Sequence, residues 1–227
     1  MPEPFSSPID QLGIVVPDLE AEIKTWLERG VGPFFTIGGA MLSGYEYEGK
    51  KSSPRVNGAF GQVGPLQIEL IHPIDDEPSI FRDFIEAGGD GLHHFGWFSE
   101  DLQADRKAAE AAGLKELQHG SVLGSEFSYY ELAEPIASPA EQLRLDGTTG
   151  PGADAALSIA GVYPGRITEL LAPDKRTREM VAHVREASAA WDGKTDPVRH
   201  LLGPMMEGAF QLQTLVQRVG RWFRERI

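Results

Sequence analysis

The sequence predicts an α+β fold in which two tandem βαβββ modules form a cupped mixed sheet, followed by a C-terminal helical extension. Three observations predict it: a gapless internal repeat, a second pair of similar strands at a larger offset, and four polar residues at matched places in the two copies. Residues 11–31 read QLGIVVPDLEAEIKTWLERGV and residues 94–114 read HFGWFSEDLQADRKAAEAAGL. At an offset of 83 (94 − 11) they share Gly13/Gly96, Asp18/Asp101, Leu19/Leu102, Ala21/Ala104, Lys24/Lys107 and Gly30/Gly113. Each copy reads as a short apolar strand, an aspartate N-cap, a helix and a terminating glycine. Self-similarity of this kind marks one supersecondary unit used twice.

The remaining elements follow in order. In the first helix Leu19, Ile23, Trp26 and Leu27 make an apolar stripe at helical spacing, whereas the second helix is mostly alanine on that face. Strand-compatible runs occupy Pro33–Gly38, Leu42–Tyr47, Val56–Val63, Leu114–His119 and Phe127–Leu132. Segments 66–73 (LQIELIHP) and 166–173 (RITELLAP) pair at an offset of 100, matching Glu69 with Glu169, Leu70 with Leu170 and Pro73 with Pro173. Proline cannot donate to a ladder, so each strand stops there. Helices are expected at Ser79–Ala87 and Lys175–Trp191, the latter with Met180, Val184, Ala187 and Trp191 on one face.

The growth in offset places extra residues in the second half, and 134–156, rich in proline, glycine and small residues, is expected to be a long inserted loop. The division is then a first module over 8–90, a second over 91–191 and a helical tail over 192–227. The tail carries Ala209, Leu212, Val216, Val219 and Phe223 at spacings of three and four, a seam for the body or a partner subunit.

Strand alternation puts Gln67, Glu69 and Ile71 on one face and Ile167, Glu169 and Leu171 on another. Gln11 shares a face with Gly13 and Val15, and His94 with Gly96 and Phe98. A carboxylate between apolar neighbours is expensive unless neutralised, paired or bound to metal. Gln11, Glu69, His94 and Glu169 are thus four repeat-related positions, one from each of four strands. About a pseudo-twofold axis they can converge, and three oxygen donors with one imidazole suit a divalent cation with positions open to water or substrate. Each residue alone would read as ordinary strand polarity; the matched placement sets them apart.

At these residues the sequence resembles the vicinal oxygen chelate superfamily over roughly residues 8–190. The run IELIHPIDDEPSIFRDFIEAGGDG followed by GLHHFGW is similar to methylmalonyl-CoA epimerases. The resemblance implies metal ligands at Gln11, Glu69, His94 and Glu169, with His93 beside the site or at the surface. Epimerases carry histidine where this chain has Gln11, and the resulting set resembles that of the zinc-type lactoylglutathione lyases (glyoxalase I). The epimerase base glutamate aligns with Ser52 or Ser53. The chemistry implied is isomerisation, epimerisation or lyase action at a carbon beside a carbonyl, through a metal-stabilised enolate. One divalent ion is required, and Zn, Co, Ni, Mn and Mg are not distinguished. Glu169 is the first choice of catalytic base and Glu69 the second, with Glu46 and Glu48 as outside candidates. Tyr129, Tyr130 and the 134–156 segment are expected to shape the pocket, and Phe34, Phe35 and Phe60 to lie in the core. A coenzyme A thioester is suggested by the resemblance only.

Composition bounds the remaining classes. The chain has 227 residues, no cysteine and a formal net charge of −13. Thiolate nucleophiles and cysteine–zinc clusters are therefore excluded. The acidic surface disfavours nucleic acid and anionic membrane, which leaves a small molecule as the expected partner. Self-association as a homodimer is compatible with the tail. The N-terminal MPEPFSSPIDQ lacks basic and apolar signal features, so a cytoplasmic location is expected. Phosphate loops, dinucleotide fingerprints, HExxH and GxSxG are absent. Two other readings come from the same superfamily: a ring-cleaving dioxygenase, whose iron normally needs two histidines and one carboxylate, and a ligand-sequestering resistance protein without turnover.

Overall fold

The computed structural model describes residues 4–163 and 165–201. In the first half, β1 (Gln11–Val15) leads into α1 (Leu19–Glu28), β2 (Phe34–Met41), β3 (Ser43–Tyr47), β4 (Lys50–Lys51), β5 (Arg55–Val63), β6 (Leu66–Pro73) and α2 (Ile80–Glu86). In the second, β7 (Gly91–Phe98) leads into α3 (Leu102–Ala111), β8 (Lys115–Val122), β9 (Ser125–Glu131), α4 (Pro151–Val162), β10 (Ile167–Ala172) and α5 (Lys175–Ala189), with β11 (Val198–His200) beyond. The expected aspartate caps are present. The Asp18 side chain accepts from the Ala21 amide and Asp101 from the Ala104 amide, each satisfying an orphan donor of a first turn.

All eleven strands form one sheet in the order β11-β2-β5-β6-β1-β7-β10-β9-β8-β3-β4. Around the central antiparallel β1/β7 pair the arrangement repeats in mirror order. β1 lies parallel to β6, as β7 does to β10, and each of those outer strands then pairs antiparallel with β5 or β9. The same βαβββ path is walked twice, with the β3–β4 hairpin added in the first half. The sheet also bends back on itself. β2 and β3 stand near opposite ends of the strand order, yet only Leu42 separates Met41 from Ser43, so the two ends must meet there.

This curvature gives two apolar layers. Outside, Leu12, Ile14, Ile68, Leu70, Phe95 and Trp97 pack beneath the helices with Trp26, Leu102 and Ala109. Inside the cup, Val15, Ile37, Ile71, Phe81, Phe127 and Leu171 form a second cluster. Tyr45 of β3 is buried there, its hydroxyl donating to Gln118 Oε1 of β8, which also accepts from the Ile80 amide. First-half and second-half chains are thereby tied at the point of closure.

Two expectations need correction. The segment 134–156 is not a structureless loop: Pro139–Gln142 form a 3-10 turn and Pro151 starts α4. Proline with its fixed φ suits a first helical position, and Gly150 before it adopts φ 104, a turn that glycine takes without strain. Ala153, Ala156 and Ala160 then bury one face of α4 in the outer layer. The composition that suggested a loop is that of a proline-initiated alanine helix. The segment is pinned to β1 by the Arg144–Asp10 ion pair and by the Ile9–Leu143 bridge. The second correction concerns the tail. Its opening DGKTDP is the linker expected from the sequence, a turn in which Asp192 accepts from the Lys194 and Thr195 amides, but the strand β11 follows it and adds to β2 in parallel. The seam Ala209, Leu212, Val216, Val219 and Phe223 lies outside the described residues. On α5 the buried face is Thr177, Val181 and Val184, with Met180 half-buried.

Removing the Tyr45 hydroxyl tests the closure. Tyr45→Phe should lower unfolding free energy by about 1–3 kcal/mol and Tyr45→Ala by about 3–5 kcal/mol, measured by urea denaturation.

Candidate metal centre

The four matched polar residues stand on the inner face of the four central strands. In the β1/β7 pair Gln11 is opposite Gly96 and Gly13 opposite His94. In the parallel pairs Glu69 is beside Gly13 and Glu169 beside Gly96. The two repeat glycines thus occupy the centre of the arrangement, and their missing side chains are its working space. A Cβ on Gly13 would lie 1.9–2.4 Å from the His94 ring, and one on Gly96 would lie 2.5 Å from Gln11 Oε1. Each polar side chain therefore lies over the glycine of the other copy.

Three of these side chains meet. Glu169 Oε2 is 3.2 Å and Glu69 Oε2 3.9 Å from His94 Nε2. One ligand-capable atom from each of Glu69, His94 and Glu169 falls within 4.8 Å of the others, so these three could hold a metal ion. An ion about 2.1 Å from each of its ligands would space neighbouring ligand atoms about 3–3.5 Å apart; the His94–Glu169 separation already matches, and Glu69 would have to move closer to His94. Gln11 is buried over Gly96, with its Nε2 donating to Gln67 Oε1 at 2.7 Å. Its Oε1 is buried and has no hydrogen-bond partner, as expected of an acceptor awaiting a cation or donor.

The outer contacts were only partly legible. Gly13 pairs with His94 and Ile14 with Leu92, so His93 is the extra residue of a β-bulge. Strict alternation would send His93 and His94 to opposite faces. The bulge instead packs His93 edge-on against Phe81 and Phe84, with its Nδ1 3.1 Å from His94 Nδ1. His93 is buried, not at the surface. This contact leaves His94 Nε2 facing the carboxylates and fixes the ring by its other nitrogen. Tyr129, beside Glu169 in the β9/β10 ladder, places its hydroxyl 3.4 Å from His94 Nε2.

Glu69, Glu169, Gln67 and Tyr129 form the floor of a cavity whose walls include Ile37, Leu42, Phe60, Phe127, Leu171 and Val181. Phe60 is thus a wall residue and not only core, while Phe34 and Phe35 are buried core. Tyr130 faces the outer layer. Residues 134–156 do not line this cavity, contrary to expectation, nor do Glu46 and Glu48, which sit on the β3–β4 hairpin and its turn. Gln67 was read only as a strand neighbour of Glu69; its buried, unpartnered Nε2 gives it a place in the site.

Electrostatics follow from burial. Desolvation raises Glu69 well above the ordinary carboxylate range, with Glu169 adding repulsion. Desolvation also pushes Glu169 up to about 8, partly offset by the Tyr129 hydrogen bond. His94 is pushed down to about 3 by desolvation and is neutral at pH 7. A divalent cation would compensate two ionised glutamates in full.

Two predictions follow from these facts. Raised carboxylates stabilise the metal-free fold below their unfolded pKa, and that stability is lost as pH rises through the folded value. The lowered histidine acts oppositely, its contribution being complete only above its unfolded value near 6.5. Between pH 6.5 and 8 only the carboxylate effect remains, so the metal-free stability should fall with rising pH by up to about 1 kcal/mol per pH unit for one such group, and the melting temperature with it. Glu169→Gln should flatten that slope in thermal scans. Gly13→Ala should displace the His94 ring and weaken metal affinity at least about tenfold by competition titration against a chelating dye.

Among the described residues no helix is long and apolar enough to cross a membrane. Comparison with solved structures gives similarity to a hypothetical protein from Bacillus halodurans C-125 at 15% identity, covering 75% of this chain and 96% of that one with a TM-score of 0.45. Methylmalonyl-CoA epimerase from Mycobacterium tuberculosis is similar at 17% identity, covering 77% and 95% with a TM-score of 0.44. The Streptomyces coelicolor epimerase bound to 2-nitronate-propionyl-CoA is similar at 16% identity, covering 74% and 96% with a TM-score of 0.39. No curated protein matches the chain. The sequence model of the glyoxalase/bleomycin resistance protein/dioxygenase superfamily matches residues 10–138, more than half of the chain. The chain belongs to the glyoxalase/bleomycin resistance protein/dioxygenase superfamily, the vicinal oxygen chelate proteins.

Proposed function

We propose that this protein is a divalent-metal enzyme, an isomerase, epimerase or lyase acting at a carbon adjacent to a carbonyl of a small oxygenated substrate. The observation that carries the reading is the meeting of Glu69, His94 and Glu169, two of which, Glu69 and Glu169, line the cavity, with the buried, unpartnered Gln11 Oε1 over neighbouring Gly96. These four residues would hold the ion, as three oxygen donors and one neutral imidazole. When bound, a divalent ion supplies Lewis acidity toward a substrate oxygen, an effect worth several kcal/mol.

The chain's own residues do the rest. Glu169 is the proposed base: it lines the cavity where an acidic C–H would lie, and on leaving the ion its carboxylate would take the proton in surroundings whose burial raises its proton affinity. The Tyr129 hydroxyl steadies this carboxylate, and Glu69 is the second choice of base. Apolar walls limit the water around the reacting carbon. With a single histidine in the set, the two-histidine pattern of ring-cleaving iron enzymes is not met. A buried and a half-buried carboxylate set side by side are an expensive feature for a protein that only sequesters a ligand.

Glu169→Gln should keep the fold, by circular dichroism, and lower deuterium exchange at a substrate's acidic carbon by about 100-fold or more. Exchange at the wild-type rate in this variant would remove Glu169 from the chemistry.

A further inference from the structure

The cavity above the carboxylates carries information about what enters it. Its walls include Ile37, Phe81, Phe127 and Leu171, with Met180 and Val181 contributed by α5. Among the described residues no lysine, arginine or histidine lines it. Its two hydroxyl residues outside the floor are already engaged. Ser125 donates to Thr177 Oγ1 at 2.8 Å and accepts from the Asp174 amide, and Thr177 in turn bonds Asp174. The free polar donor is Gln67 Nε2, on the floor next to Glu69. α5, tied down near its C-terminal end by Ser188 Oγ donating to the Gly32 and Gln62 carbonyls, supplies Thr177, Met180 and Val181 to the lining.

Charge arithmetic narrows the occupant further. Two glutamates with one divalent ion are neutral overall, so the floor has no net attraction for an anion. A carboxylate or phosphate moved into these walls would lose its hydration without a cationic partner, a cost of several kcal/mol. Each methylene moved from water into them gains about 0.8 kcal/mol. We infer that the substrate is a neutral molecule with an oxygen-bearing head on the cavity floor and an uncharged apolar body against the Ile37, Phe127 and Leu171 walls, rather than a substrate whose buried body bears carboxylate or phosphate. The inference rests on the proposed function for the head group and on the walls alone for the body.

Calorimetric titration of the zinc-loaded full chain with three hydroxamic acids tests it. Octanohydroxamic acid is expected to bind at least 30-fold tighter than acetohydroxamic acid. It should also bind at least tenfold tighter than the monohydroxamic acid of octanedioic acid, which has the same reach but ends in a carboxylate. Equal binding of the long and short probes, or no penalty for the terminal carboxylate, overturns the substrate class. Met180→Lys, which places a cation at the wall, should narrow the gap between the two long probes to threefold or less; an unchanged gap counts against the walls as the selecting element. Titration of metal-free protein with 2-nonanone separates this inference from the metal reading. Ketone binding without any zinc-dependent hydroxamate binding removes the metal centre and keeps the apolar cavity. Zinc-dependent hydroxamate binding without chain-length dependence does the reverse.

Discussion

A buried and a half-buried glutamate, Glu169 and Glu69, within reach of one neutral imidazole are the constraint on which the arrangement rests. Glu69 and Glu169 are both raised by desolvation, and His94 is lowered by the same cause, so the group cannot neutralise itself by internal proton transfer at pH 7. Without a cation the site must take up protons; with one it is balanced. Placing these charges inside a protein of ordinary stability, about 5–15 kcal/mol, is tolerable only if something offsets them. The surrounding fold is built to hold the group in place: four central strands carry one residue each, and two glycines leave the room in which the side chains meet.

Duplication explains how such a group can arise. A residue on the inner face of one strand acquires a counterpart when the βαβββ path is repeated, and the antiparallel β1/β7 junction brings the two copies face to face. Departures from symmetry are where the two halves specialise. Gln11 stands where the second half has His94, and Gln67 stands where it has Ile167, which makes one side of the site more polar than the other. Gln67 also orients the Gln11 amide, directing its oxygen away from the pair.

Much of this was written in residues whose spacing is fixed by backbone geometry. Gly13/Gly96, the aspartate caps and the proline-ended strands report local conformation directly, so elements and matched positions could be read without coordinates. What could not be read depended on contacts distant in sequence. A one-residue bulge at His93 changes which face a side chain takes, and nothing in the sequence GLHHFGW distinguishes it from regular alternation. The α4 segment was obscured because proline, glycine and alanine suit both a loop and a helix that starts with proline and buries only small side chains. The β3–β4 hairpin depended on closure against β8, a pairing between halves that local pattern does not encode.

The central claim is that Glu69, His94 and Glu169, with Gln11, bind one divalent ion. Equilibrium dialysis of the full chain against cobalt(II) tests it most directly. One ion bound per chain, and none in a folded variant combining Glu69→Gln, His94→Gln and Glu169→Gln, is the result the account predicts. Cobalt binding that persists undiminished in that variant, or no binding by the wild-type chain, would contradict it.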